Sequence, residues 1–189
     1  SGFPIREIIS SAYPREQTMK RVLIVCPHFA PVNAPDGHRI RMLAPHFAAL
    51  GWESTILTIE PAEVAAPLEP FLVDSLPENL RILRVSALSL RWCQRIGVGN
   101  LGWRSLPYLW REGTRLLRTE KFDLIYFSTT QFATLPLGRI WRNRFKVPYI
   151  IDLQDPWVNP YYDAADAPRP PGGWKYKVAR IVAICLEKW

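Results

Sequence analysis

Three stretches of the 189-residue chain hold residue types that do chemistry. The first is Asp36-Gly37-His38-Arg39, with Arg41 two positions on. Loop residues Asn33-Ala34-Pro35 precede it, so it reads as the opening of a helix. A helix N-terminus offers free N–H groups and partial positive charge, which suits a phosphate or a carboxylate. Gly37 lets such a ligand come close to the backbone. The plain structural alternative makes Asp36 an N-cap and leaves the basic side chains in solvent. A single glycine, with no G-x-G-x-x-G and no Walker pattern, excludes a dinucleotide site or P-loop.

The second stretch is Asp152-Leu153-Gln154-Asp155-Pro156-Trp157. Two carboxylates three residues apart at a strand end can orient hydroxyl groups, or one can act as a base. Trp157, Tyr161 and Tyr162 add flat faces that stack on sugar rings. Structurally, Asp152 can instead cap a turn while Trp157 fills the core. No third carboxylate or histidine stands nearby, so no metal site is expected. His28 and His46 show no partner, and a nucleophile elbow, a Cys–His pair and H-E-x-x-H are all absent.

The third stretch, residues 81 to 118, holds eight arginines and one acid, Glu112, which equals the whole formal net charge of +7. Trp92, Trp103, Tyr108 and Trp110 are interleaved with them. Arginine with tryptophan suits an interfacial membrane helix. It also suits nucleic-acid phosphates with base stacking, or a solvated helix face over core tryptophans.

These residues need elements to position them. Short β-branched runs at 22–26, 55–59, 81–85, 123–127 and 149–153 read as strands buried on both faces. A helix between the first two places Ile40, Leu43, Phe47 and Leu50 on one face, with a kink at Pro45 and Gly51 closing it. Further helices are expected at 104–119, 132–144 and 174–189, and a mobile excursion at 61–79. Strands alternating with helices predict an α/β, Rossmann-like, doubly wound parallel sheet. Ligands then meet the carboxyl ends of the strands, in loops 27–38, 128–132 (which holds Gln131) and 154–162. Residues 1–18 precede Met19-Lys20-Arg21 and read as a leader, vector residues, upstream translation or a disordered stretch, leaving 19–189 as one domain.

Hydrophobic residues at 48% and charged residues at 22% exclude disorder, collagen and coiled coil. Three cysteines without a C-x-x-C pair exclude a disulfide framework and a zinc site, and fit a reducing compartment. No apolar run is long enough to span a bilayer. A cytoplasmic protein is expected, one able to touch the membrane's inner face.

The run Arg21-Val22-Leu23-Ile24-Val25-Cys26-Pro27-His28-Phe29-Ala30-Pro31, then Asn33 to Arg39, then Leu50-Gly51-Trp52-Glu53, resembles the N-terminal domain of family 4 glycosyltransferases. Asp152 to Trp157 is similar to the D-L-R-D-P-W signature of one bacterial branch. The resemblance implies half of a GT-B enzyme, two Rossmann-like domains facing across a cleft. It implies retaining transfer from a nucleotide-sugar, without metal or other cofactor, to a cell-envelope, lipid-linked or exopolysaccharide acceptor. Asp155 is the catalytic candidate by its position where the ligand loops converge, and His38, Arg41, Gln131, Asp152 and Trp157 are the expected acceptor-binding residues. On the resemblance, Gly37 faces the donor phosphates. The chain departs from the family in having one glycine there, and Gln154-Asp155 where many relatives carry a histidine. It also lacks the donor-binding half with its E-x(7)-E motif, so it reads as an enzyme incomplete at its C-terminus and inactive alone. Its expected partners are that missing domain, an anionic membrane surface, and a second copy docked through Val178, Ile181, Val182 and Cys185. The rival reading is a free-standing basic α/β module that binds membrane or nucleic acid without catalysis.

Overall fold

The structure is a computed structural model that describes residues 19–95, 97–153, 177 and 180–185. The β-branched runs form β1 (Lys20–Val25), β2 (Trp52–Ile59), β3 (Arg81–Val85), β4 (Leu124–Ser128) and β5 (Tyr149–Asp152). All pairs are parallel, in the order β3-β2-β1-β4-β5. Between them lie α1 (Pro35–Phe47), α2 (Phe71–Asp74), α3 (Leu90–Arg95), α4 (Leu101–Thr119) and α5 (Pro136–Phe145). The expected doubly wound sheet is present.

β1 is central, and Val22 to Val25 are buried on both faces. Its alternation sends Leu23 and Val25 to one face, where α4 and α5 supply Leu109, Leu116, Leu137 and Trp141. Val22 and Ile24 go to the other, against Phe29, Ile40, Ile56 and Leu72. Trp141 is fully buried, stacks on Phe127 with ring centroids 6.1 Å apart, and donates from Nε1 to Thr114 Oγ1 at 3.1 Å. Its ring fills the place of a side chain at Gly113, where a Cβ would lie 2.4 Å from Cζ2. The two helices therefore meet at this residue.

α1 differs from its sequence reading. It buries Gly37, Ile40 and Ala44, while Leu43 and Leu50 are exposed. Ile40, Ala44 and Phe47 follow the helical period, whereas Leu43 falls on the flank. Leu50 lies past the helix, in a 3-10 turn (Ala48–Leu50) with a different period. The α-helix runs through Pro45 for two more residues, and Gly51, at φ 78°, ends the turn. The excursion at 61–79 is tied down rather than loose. Asn33 N–H donates to Pro67 O and Glu69 N–H to Pro31 O, each at 2.8 Å, and Leu72 is buried.

The arginine-rich stretch is not one basic face. Arg84 Nη2 donates to Ala30 O at 3.0 Å, and buried Arg104 pairs with Glu63 at 3.1 Å. Arg115 pairs with Glu112 at 2.6 Å. Arg81 holds Glu120 through bonds of 2.6 and 2.9 Å, and Arg21 reaches the same carboxylate. The bonds from Arg81, against partial burial and with help from Arg21, pull the Glu120 carboxyl down to about 2 from an ordinary 4.5. The folded value lies below the unfolded one, so its contribution to stability is complete above pH 4.5 and fades as pH falls toward 2. Glu120→Gln is expected to cost about 1 kcal/mol at neutral pH. It should also flatten the acid limb of urea midpoints below pH 4.5; an unchanged limb would count against the pairing.

In the helical residues near the C-terminus, Ile181 and Cys185 are exposed while Ala183 is buried. Val178 lies outside the described residues. No helix among the described residues is long and apolar enough to cross a membrane.

Candidate functional site

β1 and β4 are neighbours in the sheet, yet the chain leaves β1 toward β2 and β4 toward β5. This is the switch in strand order, where open α/β sheets place their ligands. The loop after β1 turns back so closely that a Cβ at Gly37 would lie 2.2 Å from the His28 carbonyl oxygen. Only glycine lets α1 start there. The space expected to admit a ligand at Gly37 is filled by the protein's own backbone.

That approach sets Asp36 beside His28. His28 Nδ1 lies 3.0 and 3.1 Å from Asp36 Oδ1 and Oδ2. From the β4 loop, Thr130 N–H donates to Oδ2 at 3.2 Å and its hydroxyl approaches at 3.4 Å. Asp36 is fully buried, and it is no N-cap: Ala34 holds that position without a side-chain bond. Burial alone would push the Asp36 carboxyl up. The bond and charge of His28 and the Thr130 amide outweigh it and hold the carboxyl below its ordinary value. An ionised Asp36 fixes the proton on His28 Nδ1, which leaves Nε2 to accept a hydrogen bond or a proton. Cys26 lies beneath them. Burial, reinforced by the Asp36 charge, pushes its thiol up, so it stays a neutral donor to the His28 carbonyl.

Asp152 ends β5 as the centre of a second cluster. Arg39 Nη1 donates to Oδ1, while Tyr126 Oη and Ser128 Oγ donate to Oδ2 at 3.2 and 3.3 Å. Burial, with the nearby Asp152 charge, pushes the Tyr126 phenol up to about 12, so it remains a donor. The pair Arg39–Asp152 thus ties α1 to β5, as Asp36–Thr130 ties it to the β4 loop.

The other expected site residues among those described make contacts within the fold. His38 Nε2 donates to Asn33 Oδ1 at 2.8 Å, and Asn33 Nδ2 donates to Glu69 at 2.6 Å, joining the loop to the excursion. Arg41 donates to Ser75 Oγ at 2.8 Å. Gln131 Oε1 accepts from Gly102 N–H at 2.9 Å in the first turn of α4. Asp155 and Trp157 lie outside the described residues, and so does their expected meeting with His38. Sequence reasoning missed His28, which does have a partner, and Thr130, and it did not foresee that Arg39 pairs with Asp152. The available signal was that His28 and Asp36 bracket the loop leaving the central strand. Among the described residues, no group of three or more His, Cys, Asp or Glu could hold a metal ion.

His28 and Asp36 together can bind a hydroxyl group through Nε2, and the carboxylate would stabilise an imidazolium formed there. Comparison with known proteins bears on the fold and the family of the chain. The fold is similar to that of UGT2 from Phytolacca americana, solved with UDP-2fluoro-glucose and pterostilbene, at 11% identity and a TM-score of 0.50. That match covers 72% of this chain and 30% of UGT2, so the chain spans under a third of that enzyme's length and the likeness concerns the fold. A predicted subunit of tRNA methyltransferase from Methanocaldococcus jannaschii covers 87% of this chain and 74% of its own at 13% identity. Its TM-score is 0.38. No curated protein matches the sequence. A family profile described as "Glycosyl transferase 4-like domain" matches residues 37–184, from the first turn of α1 past β5. With most of its length inside that match, the chain belongs to the glycosyl transferase 4-like domain family.

Proposed function

We propose that this chain is the acceptor-side domain of a retaining glycosyltransferase that moves sugar from a nucleotide-sugar to a hydroxyl of a cell-envelope, lipid-linked or exopolysaccharide acceptor. The observation that supports this reading is the His28–Asp36 pair at the strand-order switch. His28 Nε2 accepts the acceptor hydroxyl, Asp152 orients a neighbouring one, and Asp155 and Trp157 complete the acceptor side. The donor needs no cofactor and is held by a second domain.

Alone, the chain transfers no sugar. Transfer requires that charge developing on the departing nucleotide diphosphate be stabilised, usually the largest catalytic contribution. At the start of α1 the buried, ionised Asp36 already takes the positive end of the helix and repels a phosphate. A panel of oligosaccharides and of UDP- and GDP-sugars, followed by NMR and by nucleotide release, tests the reading. An oligosaccharide should shift the His28 ring and Thr130 amide signals. His28→Gln should weaken its binding about tenfold, the effect of one hydrogen bond. Turnover of a sugar nucleotide by this chain, or acceptor binding indifferent to His28, would overturn it.

A further inference from the structure

We propose that α3 and the exposed face of α4 form a docking surface for a bilayer carrying anionic headgroups. The surface holds five large apolar side chains in contact with solvent: Leu88, Leu90, Trp92, Trp103 and Trp110. Trp92 is 68% exposed, far from the burial a core tryptophan takes. The two helices are tied together where α3 begins. Leu88 N–H donates to Arg104 O at 3.0 Å and Arg104 Nε returns a bond to Leu88 O at 2.7 Å, which locks the approach to α3 onto the first turn of α4. Along α4, Trp103, Pro107, Trp110 and Arg111 follow helical spacing on the side away from Leu109 and Leu116.

The charge on this surface has one sign. Arg91, Arg95 and Arg111 are exposed. The acids beside them are matched, Glu112 by Arg115 and Glu63 by Arg104. Arginines beside tryptophans and leucines fit a layer with anionic heads above acyl chains. Nucleic acid fits less well. Leucines give bases nothing to stack on, and the Trp92 ring already carries the Arg95 guanidinium 4.7 Å from its centroid.

The surface is also well placed. α3 follows the carboxyl end of β3, and Gln131 bonds the first turn of α4 to the β4 loop. Both therefore lie at the sheet edge that holds His28 and Asp36. A protein seated this way would present that edge to molecules anchored in the bilayer. The docking itself rests on the surface alone and not on the transferase reading, because vesicle binding involves no sugar.

Flotation of the 189-residue chain with vesicles of phosphatidylcholine, with and without phosphatidylglycerol, tests the proposal. The chain should float with the phosphatidylglycerol vesicles at low salt, and added salt should release it. Arg91→Gln combined with Arg95→Gln should lower the partition about 25-fold, or about fivefold for each arginine near the surface. Trp92→Ser should lower it too while leaving the salt dependence unchanged. All three positions are exposed, and circular dichroism checks that the variants fold. The proposal fails if nothing floats, or if the variants float like the parent. It also fails if duplex DNA is bound in place of vesicles, or if the parent is a dimer that Trp92→Ser dissolves.

Discussion

Trp141→Ala should lower the free energy of unfolding by about 4 kcal/mol, within the range for deleting a buried large aromatic side chain. The indole is fully buried, packs on Phe127 of β4, and bonds Thr114 of α4. Truncation leaves a cavity where α5, α4 and the sheet meet, and a helix-to-helix hydrogen bond disappears with it. Trp141→Phe keeps most of the ring and should cost about 1–2 kcal/mol, chiefly that bond and a smaller void. Gly113 supplies a sharper check. Gly113→Ala alone drives a methyl into the indole and should destabilise by about 1–3 kcal/mol. In the Trp141→Ala background the methyl enters the vacated space and should cost far less. A double-mutant cycle in urea reads this coupling. Additive effects, or a Trp141→Ala loss under about 2 kcal/mol, would show that the contact does not hold the helices together.

Asp36→Asn should be the most damaging conservative change at the site, at about 3 kcal/mol. Asparagine keeps the shape but loses the charge that holds both the His28 imidazole and the Thr130 amide. Its amide N–H groups would face a protonated Nδ1, so His28 should move its proton to Nε2 or leave the pair. Nitrogen-15 NMR of the imidazole distinguishes the two tautomers directly. The pH dependence has a definite sign. The folded Asp36 carboxyl lies below its ordinary 3.8, so the stability it contributes is full above that value and is lost as pH falls through the folded value. The asparagine protein should lose that part of its acid sensitivity. An unchanged tautomer together with an unchanged acid limb would mean that Asp36 does not govern His28.

The strands were legible as short runs rich in β-branched and apolar residues, the composition a covered parallel sheet demands, although the edge strands β3 and β5 are only partly buried and Ile150 is exposed. The start of α4 was harder to place. Its cap, Asn100, follows a glycine and precedes Leu101-Gly102, so the first turn looks like loop until its side chain is seen accepting the Trp103 N–H. The face of α1 was misread because Leu43 and Leu50 look like core by residue type, and hydropathy does not reveal where a helix changes period. The site resisted for a different reason. His28 and Asp36 meet only because Gly37 nests beneath a carbonyl, and Thr130 lies 94 residues beyond Asp36. The basic stretch was likewise divided by distant acceptors, Glu63 and Glu120 among them.

The central position of β1 also bears on how the chain is made. One edge of β1 pairs with β2, which follows soon after, but the other waits for β4. Arg21 and the Asp123 that receives its N–H are 102 residues apart. At roughly 5–20 residues per second, a ribosome takes on the order of 5–20 s to cover that interval. Throughout it, the central strand of the domain, apolar from Val22 to Val25, has an unfilled row of backbone donors and acceptors. Newly made chains thus meet their greatest risk of mispairing before the second half of the sheet has been translated, a period in which chaperones that shield nascent strands would have most to do.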